Sequence, residues 1–152
     1  AVNTAERWLD IAKKDAEALT TERDLEERTA TLRTMGLQPG DAIPNNLKSD
    51  LKALEEAQKR RATRSLRDGI DRILVDLLSL YRDVLTLQIS AQTPLINAEL
   101  LPQITEAAQI TSPAQTIEKL DAIAQARLRI DRNVRDLMVL ESLAVSLRIK
   151  RG

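Results

Sequence analysis

Apolar residues recur along this chain at three- and four-residue intervals, and nowhere do they alternate with polar residues over the length of a strand. That rhythm belongs to amphipathic helices. Helix breakers are few: Gly stands at 36, 40, 69 and 152, and Pro at 39, 44, 94, 102 and 113. A first helical segment is expected from about Thr4 to Thr34, with Trp8, Leu9, Ala12, Ala16 and Leu19 as a narrow buried stripe. Its middle, Lys13 to Arg28, is mostly charged, and Asp10–Lys14 and Asp24–Arg28 place the acid before the base at i,i+4, the favourable order. Gly36 through Asn46, with Pro39-Gly40 and Pro44, reads as a loop.

A long helix follows, from about Leu47 to Ile89. Leu47, Leu51 and Leu54 give it a modest apolar edge, which widens from Leu66 through Ile70, Ile73, Leu74, Leu77, Leu78, Leu80, Tyr81, Val84, Leu85 and Leu87. At about 100° per residue these cover roughly 200° of the helix, twice the minimum for a surface helix. Asp68, Arg72, Asp76, Ser79 and Asp83 share the other, wet side. Tyr81 belongs to the apolar arc, with its hydroxyl expected to reach a polar partner. This is the central helix.

Thr93-Pro94 ends it, Asn97 is placed to cap a short turn, and Pro102 opens the next helix. Ser112-Pro113 is a stronger start, a capping side chain followed by proline at the first helical position. That helix carries Ile117, Leu120, Ile123, Ala124, Leu128 and Ile130; Asn133 breaks the register before a last helix with Val134, Leu137, Met138, Leu140, Leu143, Ala144, Val145 and Leu147. The expectation is an all-α bundle of about five to seven helices. Residues 1–46 would form a peripheral helical segment and loop, and residues 47–152 the helical core domain.

Composition narrows the chemistry. The 152 residues fit one domain. There is no Cys and no His, which removes disulfides, thiol chemistry, His-based triads and the usual zinc sites. The four glycines are too scattered for a phosphate-binding loop, and no Ser lies in a G-x-S-x-G turn. No catalysis, cofactor, metal or small-molecule substrate is therefore expected of this chain. Lys plus Arg balance Asp plus Glu at 23 each, which argues against a polybasic nucleic-acid binder. With Trp8 and Tyr81 the only aromatics, the core is aliphatic. No run reaches the length of a membrane span, and the start has no basic region followed by an apolar one. Lacking Met, the start reads as that of an excised domain, with processing as the alternative.

Two sets of charges stand out. On a helical wheel Arg127 falls amid Ile117, Leu120, Ala124 and Leu128, and Glu141 amid Val134, Leu137, Met138 and Val145. Charges aimed at apolar neighbours are costly unless paired. Helices joined by a tight break at Asn133 would bring Arg127 and Glu141 together, with Asp131 as a competing partner at i+4. The pair would serve either as a structural ion pair or at a subunit interface. The second set is Lys59, Arg60, Arg61, Arg64 and Arg67, with no acid between them. Arg60, Arg64 and Arg67 share a face that could touch phosphate. Arg64–Asp68 and Arg67–Asp71 at i,i+4, and the absence of interleaved aromatics, favour a solvated or protein-facing edge.

Ala57-Gln58-Lys59-Arg60-Arg61-Ala62-Thr63-Arg64-Ser65-Leu66-Arg67-Asp68, followed by Leu77-Leu78-Ser79-Leu80-Tyr81-Arg82-Asp83-Val84-Leu85, resembles the C-terminal domain of the delta-prime subunits of bacterial DNA polymerase III, in the form found in high-GC Gram-positive bacteria. Ala126-Arg127-Leu128-Arg129-Ile130-Asp131-Arg132-Asn133-Val134, and then Leu137 through Glu141 to Leu147, resembles the end of the same domain. The likeness covers about residues 55–148; each motif is weak alone and specific in combination. It implies a collar-like helical domain that joins equivalent domains of the delta and gamma/tau subunits, while motor modules outside this chain open the sliding clamp. DNA would be touched only indirectly. A gamma/tau collar and a helical DNA-binding or adaptor module are the alternatives, and Tyr81-Arg82-Asp83 favours delta-prime. The surplus apolar arc of the central helix is expected to be covered either by the N-terminal helices or by neighbouring subunits.

Overall fold

The computed structural model describes residues 2–148. Among them are five α-helices and no strand: α1 (Val2–Thr34), α2 (Lys48–Gln88), α3 (Leu101–Ile110), α4 (Pro113–Asp131) and α5 (Asp136–Ser146). Short 3-10 turns at Asn45–Leu47 and Ala98–Leu100 lead into α2 and α3. The chain is all-helical, and the bounds of α1 and α2 fall within two residues of those the breakers predict.

Local chemistry sets the helix ends. Beyond α1, Gly36 adopts φ 75°, and the Leu37 and Gly36 N–H groups return to the carbonyls of Leu32 and Arg33 at 2.9 and 3.0 Å. This is the bond pair of a Schellman cap. The same pair closes α2, where Ala91 and Ser90 donate to Thr86 and Leu87, and α4, where Val134 and Asn133 donate to Arg129 and Ile130. The left-handed residues there are Ser90 (φ 53°) and Asn133 (φ 62°). Asparagine tolerates that region; serine is disfavoured in it. At the start of α4 the Ser112 hydroxyl accepts from the Gln115 N–H at 3.2 Å, and the Gln115 side chain accepts from the Ser112 N–H at 2.9 Å. That completes a capping box with Pro113 just inside it.

The chain divides into two compact units. The first, Ile11–Gly69, is an antiparallel helical hairpin. At one end the helices meet backbone to backbone: a Cβ on Gly69 would lie 3.3 Å from the Ala12 carbonyl oxygen. Ala12, Ala16 and Thr20 are buried along the seam, and the Thr20 hydroxyl donates to the Ala16 carbonyl at 2.9 Å. Leu19, expected in the stripe, is exposed. Further along, polar pairs take over. Arg61 donates to Asp24 at 2.7 Å and, with both ends of its guanidinium, to Glu27 at 3.0 Å. Hydrogen bonding to Glu27 raises the Arg61 pKa, and the same bond holds Glu27 below the usual carboxylate range. Arg28 reaches Glu55 at 2.9 Å, so Asp24 and Arg28 each turn to α2 instead of to one another. The loop of residues 35–44 lies inside this unit; the division between units falls within α1 and α2 and not near residue 46.

The second unit joins Ala1–Asp10 with Ile70–Gly152. Its aliphatic core is Ile70, Leu74 and Val84 of α2, Ile104 of α3, Ile123, Ala126 and Ile130 of α4, and Val139, Leu140, Leu143 and Ala144 of α5, with Ala5 of α1. Full burial of each large aliphatic side chain contributes about 1.5–3 kcal/mol. Much of the wide α2 arc is covered only in part: Ile73, Leu77, Leu78, Leu80, Tyr81, Leu85 and Leu87 are half-buried, and Val75 is exposed. Burial pushes the Tyr81 phenol up, and its hydroxyl makes no hydrogen bond among the described residues.

Candidate interaction surface

The ion pair that Arg127 makes is not the one the wheel predicts. Arg127 donates from Nε and a terminal nitrogen to both oxygens of Asp71, at 2.6 and 3.0 Å, and this bond raises the Arg127 pKa. Neither Glu141 nor Asp131 is its partner. The reason is the rotation of α4, which buries Thr116, Lys119, Ile123, Ala126 and Ile130 and leaves Ile117, Ala124 and Leu128 exposed. Arg127 then sits at the edge of the buried face beside α2, with Asp71 within reach. Asp131 is exposed at the last residue of α4, and Glu141 is half-buried on α5 with no ion pair among the described residues. Both members of the Arg127–Asp71 pair keep part of their side chains in water, so the geometry fixes orientation more than it adds stability.

Polar residues occupy the buried face of α4 because their polar atoms are satisfied there. The Thr116 hydroxyl donates to the Ser112 carbonyl at 3.2 Å. Lys119, only 6% exposed, extends its ammonium to carbonyls at and just beyond the end of α5: Ser146 at 3.5, Leu147 at 3.2 and Arg148 at 3.3 Å. A cation there meets the negative end of the helix and its unpaired carbonyls. Burial lowers the Lys119 pKa, and the nearby Glu118 partly offsets this. An open groove of about 810 Å3 runs beside this contact, lined in part by Gln115, Glu118, Ala122, Val145 and Ser146.

Asp83 is the second departure. Placed by periodicity on the wet side of α2, it is 0% exposed. The loop after α2 folds back over it. Its carboxylate accepts from the N–H groups of Ile96 at 3.0 Å and Asn97 at 2.7 Å, from the Asn97 side-chain amide at 2.9 Å and from Arg82 at 2.8 Å. Arg82 also reaches the Pro94 carbonyl at 3.0 Å, and the Asn97 amide reaches Ser79 at 3.2 Å. Desolvation raises the Asp83 pKa, but the four hydrogen bonds outweigh it and hold the carboxyl below the usual range. Asn97 thus spends its side chain on Asp83 and not on capping the turn it precedes.

The basic face of α2 is open. Lys59, Arg60 and Arg64 are exposed and Arg67 is half-buried. Asp71 is held by Arg127, and no ion pair joins Arg64 to Asp68 among the described residues. Arg61 is drawn away into the hairpin contacts. The Nε of Arg67 is buried without a hydrogen-bond partner among the described residues.

No protein-family model, curated protein or solved structure matches the chain.

The surface also carries apolar side chains. In the second unit Ile89, Ile96, Leu101, Ile110, Ile117, Leu128, Val134, Met138 and Val145 are exposed. Among the described residues no group of three or more acidic side chains is placed to hold a metal ion. No helix is long and apolar enough to cross a membrane. Sequence reasoning named Glu141 and Arg127 but missed Lys119 and misplaced Asp83. For Asp83 a signal was available in Asn97, a helix-capping type of residue shortly beyond a proline.

Proposed function

We propose that this chain is a helical assembly module, which holds neighbouring subunits together through apolar helix faces and carries out no reaction itself. The observation that supports this most is α5: it fills the core with four residues and still presents Met138 and Val145 to solvent. Surface of that kind, beside polar residues, is what subunit contacts are made from. In its finer form the reading is the collar domain of a delta-prime clamp-loader subunit, partnered by delta and gamma/tau, acting in the bacterial cytoplasm and touching DNA only through the assembly. That form rests on the resemblance over residues 55–148. The residues that carry the resemblance have a physical reason to stand where they do: Asp83 ties down the loop after α2, Arg127 bridges α4 to α2, and Asn133 closes α4 in the left-handed conformation.

The test is reconstitution of the full-length protein with purified delta and gamma/tau subunits, read by gel filtration. A stoichiometric complex is expected. Recovery of all components as separate species would remove the finer reading.

A further inference from the structure

The outer side of α5 exposes two apolar side chains, Met138 and Val145, and Glu141 lies between them along the helix, at the border of the buried face. A surface helix normally gives one stripe to the core and the remainder to water. Here Val139, Leu140, Leu143 and Ala144 are buried, while Met138 and Val145 are 58% and 57% exposed, with Val134 just ahead of the helix at 41%. Within α5, positions 138, 141 and 145 follow one another at steps of three and four, the spacing of a seam that packs on another helix.

Glu141 is half-buried in that seam. The sequence suggests Arg127 as its cation, but both oxygens of Asp71 already hold that guanidinium. The Glu141 carboxylate is left with no ion pair or hydrogen bond among the described residues. Once the surrounding apolar surface is covered, such a group is costly unless the cover brings a cation to it. A lipid surface is a poor fit, because anionic headgroups repel a carboxylate. A second copy joined through this face by a twofold axis would bring one Glu141 toward the other.

We propose that the outer face of α5 docks against a helix of a different subunit, whose apolar stripe carries an Arg or Lys that meets Glu141. The inference rests on the assembly-module reading and names the face and the chemistry of its partner. Val134, Met138 and Val145 provide the apolar contact, and the Glu141–cation pair sets register and partner choice.

The test is a titration of the full-length protein with purified delta and gamma/tau subunits, comparing wild type with Glu141→Arg, Met138→Asp and Leu25→Ser. Leu25 lies in the other unit and is exposed; circular dichroism checks that each variant is folded. Glu141→Arg and Met138→Asp should each raise Kd at least tenfold, with Leu25→Ser equal to wild type. Wild-type binding that both α5 variants retain would overturn the docking face alone. No binding by wild type to either subunit would remove this inference together with the finer reading. A wild-type homodimer that Met138→Asp dissolves would assign the face to a second copy and overturn the proposed partner.

Discussion

Asp83 illustrates what one carboxylate does when a loop closes over it. Four donors converge on its two oxygens, so replacing it with asparagine removes the charge from each bond and turns one acceptor into a donor. Asp83→Asn should destabilise the protein by about 1.5–3 kcal/mol, measured by urea unfolding near neutral pH. Because the folded pKa is depressed, the stabilisation is fully present above the unfolded value of about 3.9 and is lost as pH falls through the lower folded value. Wild-type and variant unfolding curves should therefore begin to approach one another only below about pH 4 and draw together as pH falls through the folded value. A helical wheel could not have shown this, since it knows the direction of a residue on its own helix but not the loop that folds back onto it. The same blindness misdirected Arg127: its partner Asp71 lies 56 positions away, whereas the wheel offers only local and hairpin neighbours.

At the scale of elements the chain was far more legible, because helix ends are decided by a few consecutive residues. Gly36, Ser112-Pro113 and Asn133 mark their boundaries by backbone preference and capping, and α1 and α4 stop or start there. Ser90 is the exception, a side chain in the left-handed position that glycine fills more easily. Ser90→Gly should raise stability by about 0.5–1 kcal/mol, the relief of strain exceeding the entropy that glycine adds to the unfolded chain. Which side of α4 faces inward was not legible. Thr116 and Lys119 look polar in sequence but carry their own partners into the core. Lys119→Met should leave the end of α5 uncapped and accelerate amide exchange at residues 143–147, with little change at Val139 and Leu140. In the hairpin, Gly69→Val would press side-chain carbons against the Ala12 carbonyl. The expected cost is roughly 1–3 kcal/mol in thermal or urea unfolding.

At the scale of the molecule, zero net charge accompanies an aliphatic, all-helical core. One unit carries an open basic edge on α2, and the other exposes Met138 and Val145 on α5. If Arg60, Arg64 and Arg67 form only a solvated or protein-facing edge, binding to duplex DNA should be weak and no steep salt dependence should appear in a titration from low to moderate ionic strength. The role proposed above rests on the exposed apolar residues, and native mass spectrometry of the full-length protein mixed with delta and gamma/tau tests it most directly. The account predicts one copy of this protein in a heteromeric complex that forms with wild type and is lost with Glu141→Arg. A protein that stays monomeric beside those subunits, at concentrations where they assemble with one another, would contradict it.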